Sequence, residues 1–299
     1  LFALDFNPDR LEIILVDNGS TDGSLDIMER SPATVLSEAT PGAAAARNRG
    51  VAAAHGDLIA FTDADCIVSP NWAREIERGF RYSGVDALMG FSEGANDGYW
   101  AALEQANFES FWYRRDGDEL VLRRPGIDTR NCAVRRSTLA LCGGFDVRLS
   151  DCEDLELGIR LRRGGHAIAL NDRMRVRHHN RTALRQILAI KARHGRAFAG
   201  VVAREPDGFD SVHLPGDFRY YLGLDNRRIE ASGRGAALLY LGLLRRMLFA
   251  ASASLRGLAF PPQGLALKVF KTLCGVVWEI ELIKEMGRLA TQRPDPGAG

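Results

Sequence analysis

The sequence predicts an α/β protein with a mainly parallel, Rossmann-like sheet flanked by helices, because short apolar strands alternate with helical segments. Residues 11–16 (LEIILV) are apolar and rich in β-branched residues, and the turn-forming cluster DNGS ends them. Residues 58–62 (LIAFT) form a second apolar run, which stops at the sequence DAD. Such runs are typical of strands buried in a parallel sheet, and we expect functional residues at their carboxyl ends.

Capping and stop signals place the other elements. Thr21 and Asp22 can cap a helix, Pro70 suits the first turn of another, and the pair Gly164-Gly165 ends a third. The predicted elements are helices over 24–30, over the alanine-rich 43–54, from Pro70 onward and over 151–163, and a strand over 166–170.

Composition excludes several classes of protein. The chain has 299 residues, of which 46% are hydrophobic and 26% charged, as in ordinary globular proteins. A formal net charge of +1 gives no sign of nucleic-acid binding. The five cysteines form no C-x-x-C pair, which argues against a disulfide framework or a structural zinc site. This pattern fits a reducing cytoplasm.

The character of the chain changes after about two hundred residues. We predict a catalytic domain over 1–204, a linker over the Pro-, Gly- and Asp-rich 205–217, and an amphipathic helical region over 218–299. The apolar segments 236–260 and 265–289 carry too many charges to span a bilayer. Two interpretations stay open: the helices pack on protein, or they lie on the inner face of a membrane.

The DAD sequence indicates a metal site. Magnesium and manganese prefer carboxylate oxygen and keep several waters, so one or two aspartates suffice to hold them beside a diphosphate. Alternate residues of an extended chain point the same way, so Asp63 and Asp65 can both face one cleft. Their position directly after an apolar strand favours this function over a solvated turn.

Four ordered segments resemble the inverting family 2 glycosyltransferases of GT-A fold. They are EIILVDNGSTDGS (12–24), PGAAAARNRGVAAAHGDLIAFTDADC (41–66), NCAVRRSTLALCGGFD (131–146) and EDLELGIRLRRGGHAI (153–168). The resemblance covers roughly the predicted catalytic domain. It implies a GT-A fold and transfer of a sugar, with inversion, from a nucleotide-diphospho-sugar to an acceptor hydroxyl. Because the family begins with a strand that has no counterpart here, we expect an N-terminally truncated domain that lacks its first strand and helix.

The resemblance also implies roles for the donor side of the site. Asp17, with Asn18 beside it, would contact the nucleotide, and Asp63 would lie near the ribose. Asp65 would bind Mg²⁺ or Mn²⁺, with Asp63 and His178 as the other candidate ligands. Arg47 would orient the aspartates or reach the nucleotide, whereas Asn131 and Asp146 would line the sugar and acceptor end.

The catalytic base matches the pair Glu153-Asp154. Inversion needs a carboxylate that removes the acceptor's proton as its oxygen attacks. Asp154 is the first choice and Glu153 the second. The acceptor is expected to be a saccharide or a lipid-linked molecule, in the synthesis of a cell-envelope polysaccharide or glycolipid. The alternatives are a sugar-phosphate nucleotidyltransferase and a non-catalytic nucleotide-sugar-binding subunit.

Overall fold

The computed structural model describes residues 1–123, 126–204 and 263–291. In chain order the elements are a 3-10 turn (Pro8–Arg10), β1 (Ile14–Asp17), α1 (Ser24–Glu29), β2 (Thr34–Ser37), α2 (Ala43–Ala53), β3 (Leu58–Phe61), β4 (Cys66–Val68), α3 (Trp72–Ser83), β5 (Ala87–Gly94), α4 (Tyr99–Trp112), β6 (Tyr113–Asp116), β7 (Glu119–Leu122), β8 (Cys132–Arg135), α5 (Arg136–Leu141), α6 (Glu153–Arg163), β9 (Ile168–His178), α7 (Leu184–Arg204) and α8 (Gln263–Thr291).

The described residues fall into two compact units. The first consists of Leu1–Asp97 and Phe111–Asn180, and the second of Gly98–Ser110 and the described residues from Arg181 onward. Helix α7, which lies inside the predicted 1–204 domain, therefore belongs to the second unit. The predicted linker 205–217 and the apolar segment 236–260 lie outside the described residues, so the proposed domain boundary stays a prediction.

The first unit is built on a five-stranded sheet with the order β3-β8-β5-β9-β4. Strands β3, β5 and β9 run in one direction, whereas β8 and β4 run in the opposite direction. Strands β1 and β2 pair in parallel as a separate two-stranded sheet, and β6 and β7 form an antiparallel pair. The predicted α/β class is confirmed, but the antiparallel β8 and β4 were not predicted.

Helix α3 packs on this sheet through a contiguous apolar core. The buried residues of this core are Trp72, Ile76 and Phe80 from the helix, with Val85, Leu88, Ala133, Met174 and Val176 from the strands and their approaches. The amphipathic spacing of the helix residues explains why one face is buried. This packing fixes the strands whose ends carry the candidate site.

The second unit is built around helices α7 and α8. A Cβ atom on Gly195 would collide with the carbonyl group of Trp278, so this glycine permits close backbone contact between the two helices. Their shared core includes Ile187 of α7 and Phe270 and Cys274 of α8. The predicted helix over 265–289 is thus confirmed as part of α8. Across the described ranges, no helix combines the length and apolarity that crossing a bilayer would need.

Candidate active site

The candidate site lies where several strand ends meet at one end of the sheet. Strands β3 and β4 occupy opposite edges, and residues 62–65 connect them across this end. Because β8 is antiparallel, its first residue Cys132 pairs with Phe61 at the end of β3. His178, the last residue of β9, pairs with Cys66 and with Gly94. The topology therefore brings together the DAD segment, the residues before β8 and the end of β9.

Arg47 links the DAD segment to the first turn of α6. Its Nη2 atom donates to Asp63 Oδ1 over 3.0 Å, and its Nη1 atom donates to Glu153 Oε1. Its side chain is only 18% exposed. Burial opposes the charge of the guanidinium, but Asp63, Glu153 and Asp154 nevertheless raise the pKa of Arg47 above its ordinary value. Arg47 thus bonds one of the two aspartates, Asp63, together with Glu153, and its part in donor binding stays a prediction.

Asp65 pairs with His178 on the other side of the DAD segment. His178 Nε2 lies 3.3 Å from Asp65 Oδ2, and this hydrogen bond is the main reason why the pKa of Asp65 is lowered. The other ring nitrogen, Nδ1, lies 2.9 Å from Asn180 Oδ1, and this contact directs Nε2 toward Asp65. His178 is buried, whereas the Asp65 side chain is 53% exposed. One end of the pair is therefore fixed, and the other end is open to a ligand.

The Asp65–His178 pair has the spacing of neighbouring ligands of one cation. With bonds of about 2.1 Å, adjacent ligands of an octahedral Mg²⁺ lie about 3.0 Å apart. The observed 3.3 Å is close to this value. Within the described ranges, no three His, Cys, Asp or Glu side chains form a ready ligand set. An ion bound here would therefore take at most two of these side chains from the described residues and would complete its shell with phosphate and water.

Asp154 lies in the first turn of α6 and receives two hydrogen bonds from Thr129. The Thr129 backbone N–H and hydroxyl donate to Asp154 Oδ2 over 3.2 and 3.3 Å. Burial, followed by the charges of Asp128 and Glu153, raises the pKa of Asp154 to about 7. A carboxylate with a pKa near neutrality is suited to general-base catalysis. Glu153 is buried and bound to Arg47, so Asp154 is the better candidate of the two.

The segment before β8 supplies charged residues that the sequence interpretation missed. Asp128 forms an ion pair with Arg130, whose Nε atom lies 2.9 Å from Asp128 Oδ1. Although burial opposes its charge, Asp128 and Asp63 raise the pKa of Arg130 above its ordinary value. The signal in the sequence is the run of four polar residues, DTRN (128–131), directly before an apolar strand. The rule that functional residues lie at the carboxyl ends of strands does not cover it, because the antiparallel β8 brings its amino end to the site.

Asp17 and Asn18 follow β1, as predicted, but both are used in local structure. Asp17 is buried and accepts bonds from the backbone N–H groups of Gly19 and Ser20. The Asn18 amide donates to the carbonyl groups of Glu38 and Thr40 and accepts from the Gly42 N–H. Asn18 therefore holds the loop that leads into α2, and nucleotide contact by either residue stays a prediction.

Asn131 and Asp146 have surroundings that differ from those expected of cleft residues. Asn131 is 1% exposed, and its amide donates to the carbonyls of Phe91 and Met174 while accepting from the Trp72 indole. It is a core residue that ties α3, β5 and β9 together, so the role of lining the cleft does not suit it. The Asp146 carboxylate is held by Arg148 through both of its oxygens.

Comparison with known proteins shows what the chain is similar to. Residues 2–141 match the family model described as glycosyl transferase family 2. The chain is 28% identical over 255 residues to the pre-mycofactocin glycosyltransferase of Mycobacterium tuberculosis, covering 81% of this chain and 54% of that protein. It is 38% identical over 139 residues to an uncharacterised glycosyltransferase of Nostoc sp., covering 43% of each. The chain thus spans about half the length of these relatives.

Solved structures share the fold. One is the mannosyltransferase PcManGT of Pyrobaculum calidifontis, solved with GDP-Man and Mn²⁺. The alignment covers 98% of this chain and 81% of the mannosyltransferase chain, with a TM-score of 0.62 and 17% identity. Staphylococcus aureus TarS covers 97% of this chain and 85% of its own, with a TM-score of 0.51 and 14% identity. The expected GT-A type of fold is thereby confirmed. Residues 2–141, just under half of the chain, are thus similar to the family 2 glycosyltransferases, and the solved structures show the fold alone.

Proposed function

We propose that this chain transfers a sugar from a nucleotide-diphospho-sugar to an acceptor hydroxyl by a single displacement that inverts the anomeric centre. The observation that carries the proposal is the meeting of two features at one end of the sheet. One is the Asp65–His178 pair, which has the spacing of cation ligands. The other is Asp154, a partly buried carboxylate with a raised pKa. The diphosphate of the donor would bind at the Asp65–His178 pair, and the acceptor hydroxyl would bind at Asp154.

Asp154 would accept the proton of the acceptor hydroxyl. Its raised pKa makes the ionised form a stronger base than an ordinary aspartate, and a positioned base contributes roughly 10² to 10⁴-fold to rate. Glu153 is already engaged by Arg47, and so its part is to hold Arg47 in place. Arg47 in turn fixes Asp63 at the point where the donor would bind.

Asp65 and His178 would hold a divalent cation, Mg²⁺ or Mn²⁺. When bound, such an ion neutralises charge on the departing diphosphate. His178 would bind through Nε2, because Nδ1 is directed to Asn180. Asp63 is paired with Arg47 in this structure, which suits contact with the ribose hydroxyls better than direct ligation of the ion. The solved mannosyltransferase contains GDP-Man and Mn²⁺, which supports a nucleotide-sugar with a divalent cation here as well.

The proposal extends to the acceptor and to the cellular setting. We propose a saccharide or lipid-linked acceptor and a part in cell-envelope polysaccharide or glycolipid synthesis. The chain would act in the cytoplasm, with its C-terminal helical region at the inner face of the membrane. Lys268 of α8 is exposed, and an exposed cation near apolar surface favours attachment to anionic lipid, whereas the exposed Lys284 and Arg288 are paired with carboxylates of the same helix.

A donor screen tests the proposal. Purified protein would be incubated with Mn²⁺ and individual UDP-, GDP- and TDP-sugars, and release of the nucleoside diphosphate would be measured with saccharide acceptors. We expect turnover of one donor class, its loss in chelator and its loss in Asp154→Asn. Release of inorganic pyrophosphate from a sugar phosphate and a nucleoside triphosphate would instead indicate a nucleotidyltransferase. Binding without turnover by any donor would indicate a non-catalytic subunit.

A further inference from the structure

Residues 126–130 lie against α6, with their closest backbone contact at the middle of the helix. A Cβ atom on Gly158 of α6 would lie 2.7 Å from both Gly126 Cα and Ile127 N, so only glycine allows this contact between backbones. Gly126 in turn lies against the ring of Trp112, where an added Cβ would be 3.1 Å from the nearest ring atom. The segment is thereby fixed against the helix that carries Asp154.

Thr129 is placed by this contact to bond Asp154 twice. It is 2% exposed, and both its backbone N–H and its hydroxyl donate to the same atom, Asp154 Oδ2. The other oxygen, Oδ1, accepts from the Leu155 N–H over 2.7 Å. A carboxylate held at both oxygens has one orientation, and bonds of this kind favour its ionised form.

We propose that Thr129 is a positioning residue for Asp154, and that its hydroxyl favours the ionised form of this carboxylate and fixes its orientation for proton removal. The catalytic part of the inference rests on the proposed function of Asp154. The need for such a residue follows from the charges around it, since Asp128 and Glu153 both oppose ionisation of Asp154. Arg47 and the Thr129 backbone N–H act in the other direction, and the Thr129 hydroxyl is a second donor to the same carboxylate oxygen.

The groups that face Asp154 come from four elements. Glu153 lies on α6, Arg47 on α2, Asp128 on the segment before β8, and Cys132 on β8. Burial raises the pKa of the Cys132 thiol well above its usual value, so this thiol stays neutral near pH 7. The carboxylates and Arg47 are unchanged by a substitution at Thr129, and a change in Asp154 titration can then be assigned to the lost hydroxyl.

Thr129→Val tests the inference, because valine has the shape of threonine and lacks the hydroxyl. Carboxyl ¹³C NMR of protein labelled at aspartate would follow titration, and the Asp154 signal is the one missing from Asp154→Asn. We expect the Asp154 midpoint to rise by about one pH unit in Thr129→Val, the size of a hydrogen bond to a charged group. Thr129→Ser should keep the wild-type midpoint.

Thr138→Val is the matched control. Thr138 is equally buried and its hydroxyl donates to another carboxylate, Asp86 Oδ1, over 3.2 Å. The same substitution there should leave the Asp154 midpoint in place. An unchanged midpoint in Thr129→Val, or an equal rise in Thr138→Val, would overturn the inference.

Kinetics then separate this inference from the proposed function. In Thr129→Val the pH below which kcat/KM declines should rise by as much as the NMR midpoint of Asp154. At alkaline pH, where Asp154 is ionised, kcat should recover. A loss of kcat that is equal at every pH would show a merely structural role and would overturn the positioning role. If Asp154→Asn keeps the wild-type acidic limb, Asp154 is not the base, even where the NMR shift confirms the contact with Thr129.

Discussion

Arg47→Met should destabilise the protein through the carboxylates that it leaves unpaired. Arg47 is 18% exposed and binds Glu153, whose side chain is 7% exposed, and Asp63, whose side chain is 40% exposed. Removing one partner of a buried ion pair costs about 3 to 5 kcal/mol, whereas an exposed pair contributes less than about 1 kcal/mol. Because only the Glu153 half is well buried, we expect a loss of about 3 kcal/mol in the free energy of unfolding.

Urea unfolding at pH 7 measures this loss, and a second substitution identifies its cause. If the penalty is the unpaired charge on Glu153, then Glu153→Gln in the Arg47→Met background should recover about 2 kcal/mol, since the buried charge is gone. The control is Arg148→Met, which breaks the Arg148–Asp146 pair at a side chain that is 70% exposed. It should cost less than about 1 kcal/mol. Equal effects of the two arginine substitutions, or no recovery in the double variant, would refute the assignment of Arg47 as the buried link.

The remaining predictions concern metal, base, helix packing and membrane. Asp65→Ala should lose nucleoside-diphosphate affinity in Mn²⁺ by isothermal titration calorimetry, as should wild type in chelator; full affinity in chelator would contradict the metal site. Asp154→Asn should lower kcat by roughly 10² to 10⁴-fold while donor affinity persists, and a parallel loss of affinity would move Asp154 to the donor side. The same variant should have a larger free energy of unfolding than wild type at pH 8, because the raised pKa of Asp154 means that folding opposes its ionised form. For the same reason the stability of wild type should fall as pH rises from about 3.8 to about 7. Equal free energies of unfolding at pH 8 would contradict the raised pKa. Gly195→Ala should destabilise by about 2 kcal/mol, because the added Cβ meets the backbone at Trp278, which cannot turn aside; a change below about 0.5 kcal/mol would show that α7 and α8 are not in close contact. The full chain should float with anionic but not with zwitterionic vesicles, and recovery with neither would leave packing on protein as the role of the C-terminal helices.

The elements that follow local rules could be predicted from the sequence. The apolar runs and glycine stops gave β3, α2 and α6 within one or two residues, because burial and capping act over a few positions. Strand β9 is longer than predicted, extending over Ile168–His178, since its alternating arginines are exposed while Met174 and Val176 face the core. Only pairing with β4 and β5 decides where such a strand ends.

The contacts between distant segments could not be predicted from local patterns. Asp65 meets His178, and Thr129 meets Asp154, only because β8 and β4 run antiparallel to their neighbours. Asn131 matched a family motif at the start of an apolar strand, yet its burial depends on the carbonyl groups of Phe91 and Met174 and on the indole N–H of Trp72. The motifs identified which residues carry charge, and the sheet order decided which of these charges meet.

The stereochemistry of the product tests the central claim most directly. A donor with an α-linked sugar would be turned over with Mn²⁺ and an acceptor, and the product's anomeric configuration would be read from its ¹H coupling constants. Base-assisted single displacement at the site of Asp65 and Asp154 predicts a β-linked product. An α-linked product would contradict the proposed mechanism, because retention cannot arise from one inverting attack.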